Sequence, residues 1–162
     1  MLDDVVIDTC VLMHADNDED SKRDASRNLI RVLRASATSL CVDEGYDPDE
    51  GQNRSAIASE YLEHLIFGSL GFELLTYCAQ SGRLRTIPTR VSTVVNRTIS
   101  QLVPDKTDRK FVKVAVNSHE QVLATHDHHI GRAARGLKAR LDVEVLDAEH
   151  CRLLLSADQA SG

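Results

Sequence analysis

The stretch QVLATHDHHIGRAARGLKARLDVEVLD, residues 121–147, decides the fold. QVLAT and DVEVLD are short aliphatic runs, too brief for a helix and suited to buried strands. IGRAARGLKARL between them reads as a basic helix. Strands joined through a helix run parallel, because a parallel pair needs a long crossover where an antiparallel pair needs only a tight turn. The unit also raises a chemical question. Where its first strand runs out at Thr125, a carboxylate, Asp127, stands among three imidazoles, His126, His128 and His129.

The same alternation extends outward in both directions. DDVVIDTCVL (3–12) opens with a β-branched strand, and TSLCVD (38–43) and RLRTIP (83–88) supply two more. DSKRDASRNLIRVLRAS (20–36) and the residue after it place Ala25, Leu29, Val32, Leu33 and Ala37 at helical spacing, with Asp20 or Ser21 as N-cap. AIASEYLEHLIFG (56–68) repeats Ile57, Tyr61, Leu62, Leu65 and Ile66, a helix that Gly68 closes. FELLTYCAQSG (72–82) is a further helix. TRVSTVVNRTISQLV (89–103) repeats Val91, Val95, Thr98 and Leu102 and stops before Pro104. TDRKFVKVAVNS (107–118) is a helix opened by Thr107 or Asp108, and EGYDPDEGQNRS (44–55) is a loop by its Gly, Pro, Asp and Asn content. Strands alternating with helices predict an α/β domain with a mainly parallel sheet covered on both faces. We expect that domain over residues 1–150 and a C-terminal tail over 151–162. Functional sites in such sheets gather beyond the carboxyl ends of the strands.

A chain of 162 residues suits one domain whose core needs no staple. With no Trp and aromatics at 4%, aliphatic residues must build that core, and stacking of bases on aromatic platforms is a poor expectation. Cys10, Cys41, Cys78 and Cys151 are far apart without a C-x-x-C pair. Zinc ribbons and thioredoxin-like chemistry are excluded, and the thiols read as reduced, in a cytoplasmic protein. The acidic start MLDDVVID is no secretory signal, and no apolar run approaches a membrane span. A net charge of −6 argues against a protein that coats nucleic acid. Acids clustered around a cation would reverse that field locally.

Asp8 ends the first strand, Asp127 follows VLAT, Asp108 opens a helix and Glu60 sits on another. An acid at a helix start is ordinarily a cap or a dipole partner, which is the plain reading of Asp108. Asp8 differs, because a carboxylate in an apolar turn needs a partner and no Lys or Arg lies nearby in sequence. Asp43, Glu44 and Glu63 compete with Glu60, since Glu60 and Glu63 both flank the apolar stripe of their helix. Several carboxylates in one cleft repel and retain protons unless a cation joins them. Mg²⁺ or Mn²⁺, hard ions that prefer oxygen, are the expected cofactors. Such an ion activates water against a phosphodiester, and a second would stabilise the leaving oxygen.

VVIDTCVLMHA (5–15), IASEYLEHL (57–65), DRKFVKVAV (108–116) and VLATHDHHI (122–130) occur in the order of the motifs of PIN-domain nucleases, which the chain resembles from Val5 to about Leu146. Those domains carry Asp-Thr or Asp-Ser after the first strand and a Glu in a following helix. An Asp leading D-x-x-F/I-x-x-x-A and a T-x-D after a later strand complete the pattern. The resemblance implies a three-layer α/β/α fold and a catalytic, metal-holding quartet of Asp8, Glu60, Asp108 and Asp127. Thr9 and Thr125 become supporting hydroxyls, and the Glu-Tyr pair favours Glu60 as second acid. It further implies a metal-dependent endoribonuclease, the toxin of a toxin–antitoxin pair or a defence nuclease. RNA would be the substrate, with an antitoxin or other protein partner and a homodimer. Three features depart from the pattern: Cys10 stands where Ser or Asn is common, 43–55 is longer than in compact members, and Asp105 could replace Asp108.

Other readings are weaker. Zinc on His126, His128 and His129 lacks H-x-x-x-H spacing and a cysteine partner, and a solvated turn fits these residues better. DNDEDSKRD (16–24) resembles the opening of an EF-hand, but Ser21 and Arg27 stand where Gly and Glu are required. Arg132 and Arg135, with Lys138 and Arg140, would guide a nucleic-acid backbone or simply form a solvated helix face. A catalytically silent PIN-like module binding RNA or protein is the main rival. A haloacid-dehalogenase-type phosphohydrolase needs an Asp where Cys10 stands.

Overall fold

Five aliphatic runs pair side by side in the computed structural model, which describes residues 2–160. They are β1 (Asp4–Ile7), β2 (Ser39–Asp43), β3 (Leu84–Ile87), β4 (Val122–Ala124) and β5 (Glu144–Leu146), in the order β3-β2-β1-β4-β5 and parallel throughout. Register pairs Val6 with Cys41 on one side and with Leu123 on the other. Every residue of β1 is buried, which is why this strand reads as a continuous aliphatic run without polar alternation.

Eight helices among the described residues cover the sheet: α1 (Thr9–His14), α2 (Arg23–Ala35), α3 (Ala56–His64), α4 (Leu70–Gln80), α5 (Thr93–Leu102), α6 (Arg109–Asn117), α7 (His128–Leu141) and α8 (Ala148–Ala160). α2 packs against α1, α4 and α8, while α5 packs against α6 and α7. The sheet lies between these layers, giving the expected α/β/α architecture. None of these helices is long and apolar enough to cross a membrane.

The strand order creates the crevice that matters. The chain steps from β1 outward to β2 and β3, then returns past β1 to β4 and continues to β5. Its direction of travel reverses between β1 and β4, so their carboxyl ends diverge in connection and leave a gap, the usual ligand position in open α/β sheets. Asp8 N–H donates to Ala124 O at 2.9 Å, which carries the pairing one residue beyond β1 to the floor of that gap.

Three local expectations are corrected. Of the expected tail, residues 151–160 belong to α8, whose Cys151 and Leu155 are 0% and 2% exposed, and 161–162 lie outside the described residues. Its apolar positions cover α2, a partner invisible to local pattern. Gly68 does not close α3, which ends at His64. Gly68 instead takes φ +79° in the turn before Ser69 caps α4, and Gly71 lets α4 approach α1, where a Cβ would lie 2.9 Å from Leu12 Cβ. Neither Asp20 nor Ser21 caps α2; Lys22 holds that position without a side-chain bond, and Asp20 accepts from Lys22 N–H at 2.7 Å while its other oxygen meets His14.

Candidate metal and active site

Asp8 leaves β1 into the crevice only 6% exposed. Thr125 Oγ1, at the end of β4, donates to Asp8 Oδ2 at 2.7 Å and accepts the Asp127 N–H at 2.9 Å. One hydroxyl thus joins the acid of the central strand to the turn that carries the next acid. Burial raises the Asp8 carboxyl above the usual range, hydrogen bonds from Thr125 and Cys10 oppose the rise, and the charge of Glu60 adds to it.

Asp127 is the N-cap of α7, its Oδ1 accepting from His129 N–H at 2.7 Å and Ile130 N–H at 3.1 Å. The capping role expected of Asp108 belongs to Asp127 instead. Asp108 occupies the N-cap position of α6 with an αR backbone and makes no side-chain cap bond. Its carboxyl is raised to about 6 by burial first, then by the charges of Asp105, Asp8 and Asp127, with Lys110 opposing. Asp105 is exposed and engaged with Thr107, accepting from its N–H at 2.9 Å and its hydroxyl at 2.8 Å. Asp108, half-buried, is the acid of this pair that faces the crevice.

Glu60 comes from α3. The buried Tyr61 hydroxyl donates to Ile7 O, the last carbonyl of β1, and so pins α3 beside Asp8. Its rivals have other work. Asp43 accepts from Ser55 Oγ at 2.5 Å and from Ala56 and Ile57 N–H, both at 2.8 Å, holding the start of α3. Glu44 binds Thr89, and Glu63 is exposed.

The structure adds Lys110, which the sequence reading did not single out. Its Nζ lies 2.8 Å from Glu60 Oε2. The ammonium is thus the charged partner of a buried carboxylate oxygen that makes no other polar contact. Lys110 stands two residues after Asp108, a spacing that puts two side chains on different sides of an isolated helix. Only the position of α3 against α6 shows the pairing.

The donor set fits a hard divalent ion. Asp8, Glu60, Asp108 and Asp127 supply carboxylate oxygens; Asp108 makes no cap bond, while Glu60 Oε2 is already paired with Lys110. The quartet is open. Among the described residues, the only three metal-ligating side chains with donor atoms within 4.8 Å of one another are Asp3, His119 and Glu120. These lie at the opposite, amino ends of β1 and β4. An open set suits Mg²⁺ or Mn²⁺, which keep several waters and use few protein ligands.

Other predicted residues contribute less. Thr9 is buried with its hydroxyl unpartnered. The Cys10 thiol, 3.8 Å from Thr125 Oγ1, is pushed up to about 12 by burial and by Asp8, so it stays protonated. The three histidines do not converge: His126 meets Ser26 Oγ at 3.0 Å, while His128 and His129 are exposed beside each other. Asp16, Asp18 and Asp20 turn to Leu70 N–H, Arg23 and His14 respectively. Arg132 and Arg135 are exposed on α7. No protein-family model matches the chain, and no curated protein sequence matches it.

Proposed function

We propose that this chain is a metal-dependent endoribonuclease of the PIN type, hydrolysing RNA phosphodiester bonds in the acidic crevice between β1 and β4. The observation that supports it most is the Asp8–Thr125–Asp127 link across the switch point, with Asp108 facing both acids. Asp8, Glu60, Asp108 and Asp127 are the residues to hold Mg²⁺ or Mn²⁺, which when bound supplies Lewis acidity toward the phosphate and lowers the pKa of an attacking water. The chain itself positions and charges the site. Thr125 fixes the direction of Asp8, the cap bonds to His129 and Ile130 fix Asp127, and burial keeps Asp8 poorly hydrated and receptive to a cation. Arg132 and Arg135 stand free on α7 to meet the RNA backbone.

Single-stranded RNA incubated with Mn²⁺ or Mg²⁺ should be cut, EDTA should stop the reaction, and Asp8→Asn should abolish it in a folded protein. Cleavage by Asp8→Asn at the parent rate would remove the reading. Lys110 favours a second one, because a fixed cation 2.8 Å from Glu60 already balances part of the charge that a metal would neutralise. A catalytically silent RNA- or protein-binding module would bind without cutting, and would bind equally well without the acids. For partners, a second copy of the chain or an antitoxin fits the nuclease reading. Ile66 and Phe67, 74% and 86% exposed between α3 and α4, supply apolar surface for such contact.

A further inference from the structure

On the side of Asp127 away from Asp8, the crevice continues into a cleft of about 450 Å³. That lies within the roughly 300–1,000 Å³ of small-molecule sites. Its walls are small or aliphatic: Ala25 from α2, Gly131 and Ala134 from α7, Val145 and Leu146 from β5. Its rim is polar, with Lys22 and His128 toward the acids and Asp147 at the start of α8. Thr125 and Asp127 line it too, so it is continuous with the proposed cutting site. Beside Gly131 there is open space, since a Cβ built there meets nothing within 4 Å, so a longer side chain has room to enter the cleft. Asp147 Oδ1 accepts from His150 N–H at 2.8 Å and meets its ring nitrogen at 2.7 Å, leaving Oδ2 for a ligand donor.

We infer that this cleft is a nucleobase subsite, taking one unstacked base of a nucleotide that flanks the scissile phosphate. Single-stranded RNA is read through splayed bases, held by contact with their faces and by hydrogen bonds to their edges. Here the faces lie against Gly131, Ala134 and Leu146, since no aromatic ring other than imidazole lines the cleft. Asp147 Oδ2 accepts from the edge of the base. One free oxygen serves a single N–H donor, so adenine, cytosine or guanine can pair with it, and guanine, whose N1–H and amino group both lie on that edge, is the probe chosen. The inference rests on the nuclease reading for the identity of the neighbouring phosphate, but base binding is measurable without cleavage.

The test titrates guanosine 5′-monophosphate and ribose 5-phosphate, with Mg²⁺ present, into the parent, Gly131→Leu, Ala134→Met and the control Ala139→Leu. Ala139 is exposed about two turns further along α7 and does not line the cleft. The parent and Ala139→Leu should bind the nucleotide at least about tenfold more tightly than the sugar phosphate, a difference of about 1.4 kcal/mol. Gly131→Leu and Ala134→Met should erase that difference. Gly131→Leu should also melt no lower than the parent, because Leu is the better helix former. Equal affinities for the two probes in the parent, or a base-dependent gain that survives in a folded Gly131→Leu or Ala134→Met, would overturn the subsite. A parent that binds the nucleotide but cuts no RNA removes the nuclease reading and leaves the subsite. A parent that cuts RNA with no base-dependent gain does the reverse.

Discussion

Asp108 carries an uncapped, half-buried carboxyl whose pKa stands at about 6, above the ordinary 3.8. The folded chain therefore holds this proton more tightly than the unfolded chain. The linkage sign follows: the group costs no stability below about pH 4, and the cost grows until pH passes about 6. Without metal, the parent should lose melting temperature from this group as pH rises through that window. Asp108→Asn should flatten the loss and melt higher at pH 7, and an unchanged pH profile in thermal melts would show that Asp108 does not feel its neighbours. With metal bound, cleavage should fall at a pH below this metal-free value, because the cation favours the ionised carboxylate and must be displaced before Asp108 gains its proton. Thr125→Val removes the hydroxyl between Asp8 and Asp127 and should lower cleavage about 10–100-fold, the usual cost of losing an outer-shell partner of a metal site. Thr125→Ser should retain most of the activity, and His128→Ala should lose far less than Asp8→Asn in the same assay.

At the scale of elements, α7 and α3 each do two jobs. Asp127 caps α7, so Asp127→Ala should cost about 1 kcal/mol of stability as well as activity. Asp127→Asn keeps a capping oxygen while removing the charge. It should melt close to the parent without metal yet cut RNA poorly. Thermal melts and cleavage rates on the two variants separate the roles, and equal stability losses in both would mean that the cap contributes nothing. Tyr61→Phe leaves Ile7 O at the end of β1 without its donor, a buried loss of about 1–3 kcal/mol. Because that bond sets Glu60 beside Asp8, cleavage should fall in a variant that is still folded at the assay temperature.

At the scale of the whole molecule, four acids from α3, the start of α6 and the ends of β1 and β4 come near enough for their charges to act on one another only in the folded chain. A divalent ion that binds them there stabilises by mass action, about 2.7 kcal/mol at a hundred times its dissociation constant. For a domain of this size that is a rise in melting temperature on the order of 5–10 °C. The parent should show the rise with Mn²⁺, and Asp8→Asn should not. Equal rises in both would place the ion elsewhere, with the exposed Asp3, His119 and Glu120 as the first position to examine. Sedimentation at high concentration reads the proposed self-association, and a lone monomer would remove it.

The sequence by itself determined the layered α/β class. Strand and helix periods are local, and the run from Gln121 to Asp147 could only be a parallel crossover. It also marked Asp8 and Asp127, because a strand end beside a polar turn is visible in one dimension, while the resemblance pointed to Thr125. Tertiary structure alone decided which remaining acids join them. Glu60 and Glu63 flank the same helical stripe, and only the packing of α3 leaves Glu63 exposed while Glu60 meets Lys110 and its charge reaches Asp8. Asp43 ends β2 and Asp108 precedes α6, yet three donors at the start of α3 satisfy Asp43 while no cap bond engages Asp108. Lys110, the α8 contact with α2 and the cleft lined by Gly131 were likewise out of reach. Each depends on distances between segments far apart in the chain, set by how the layers pack and not by any local period.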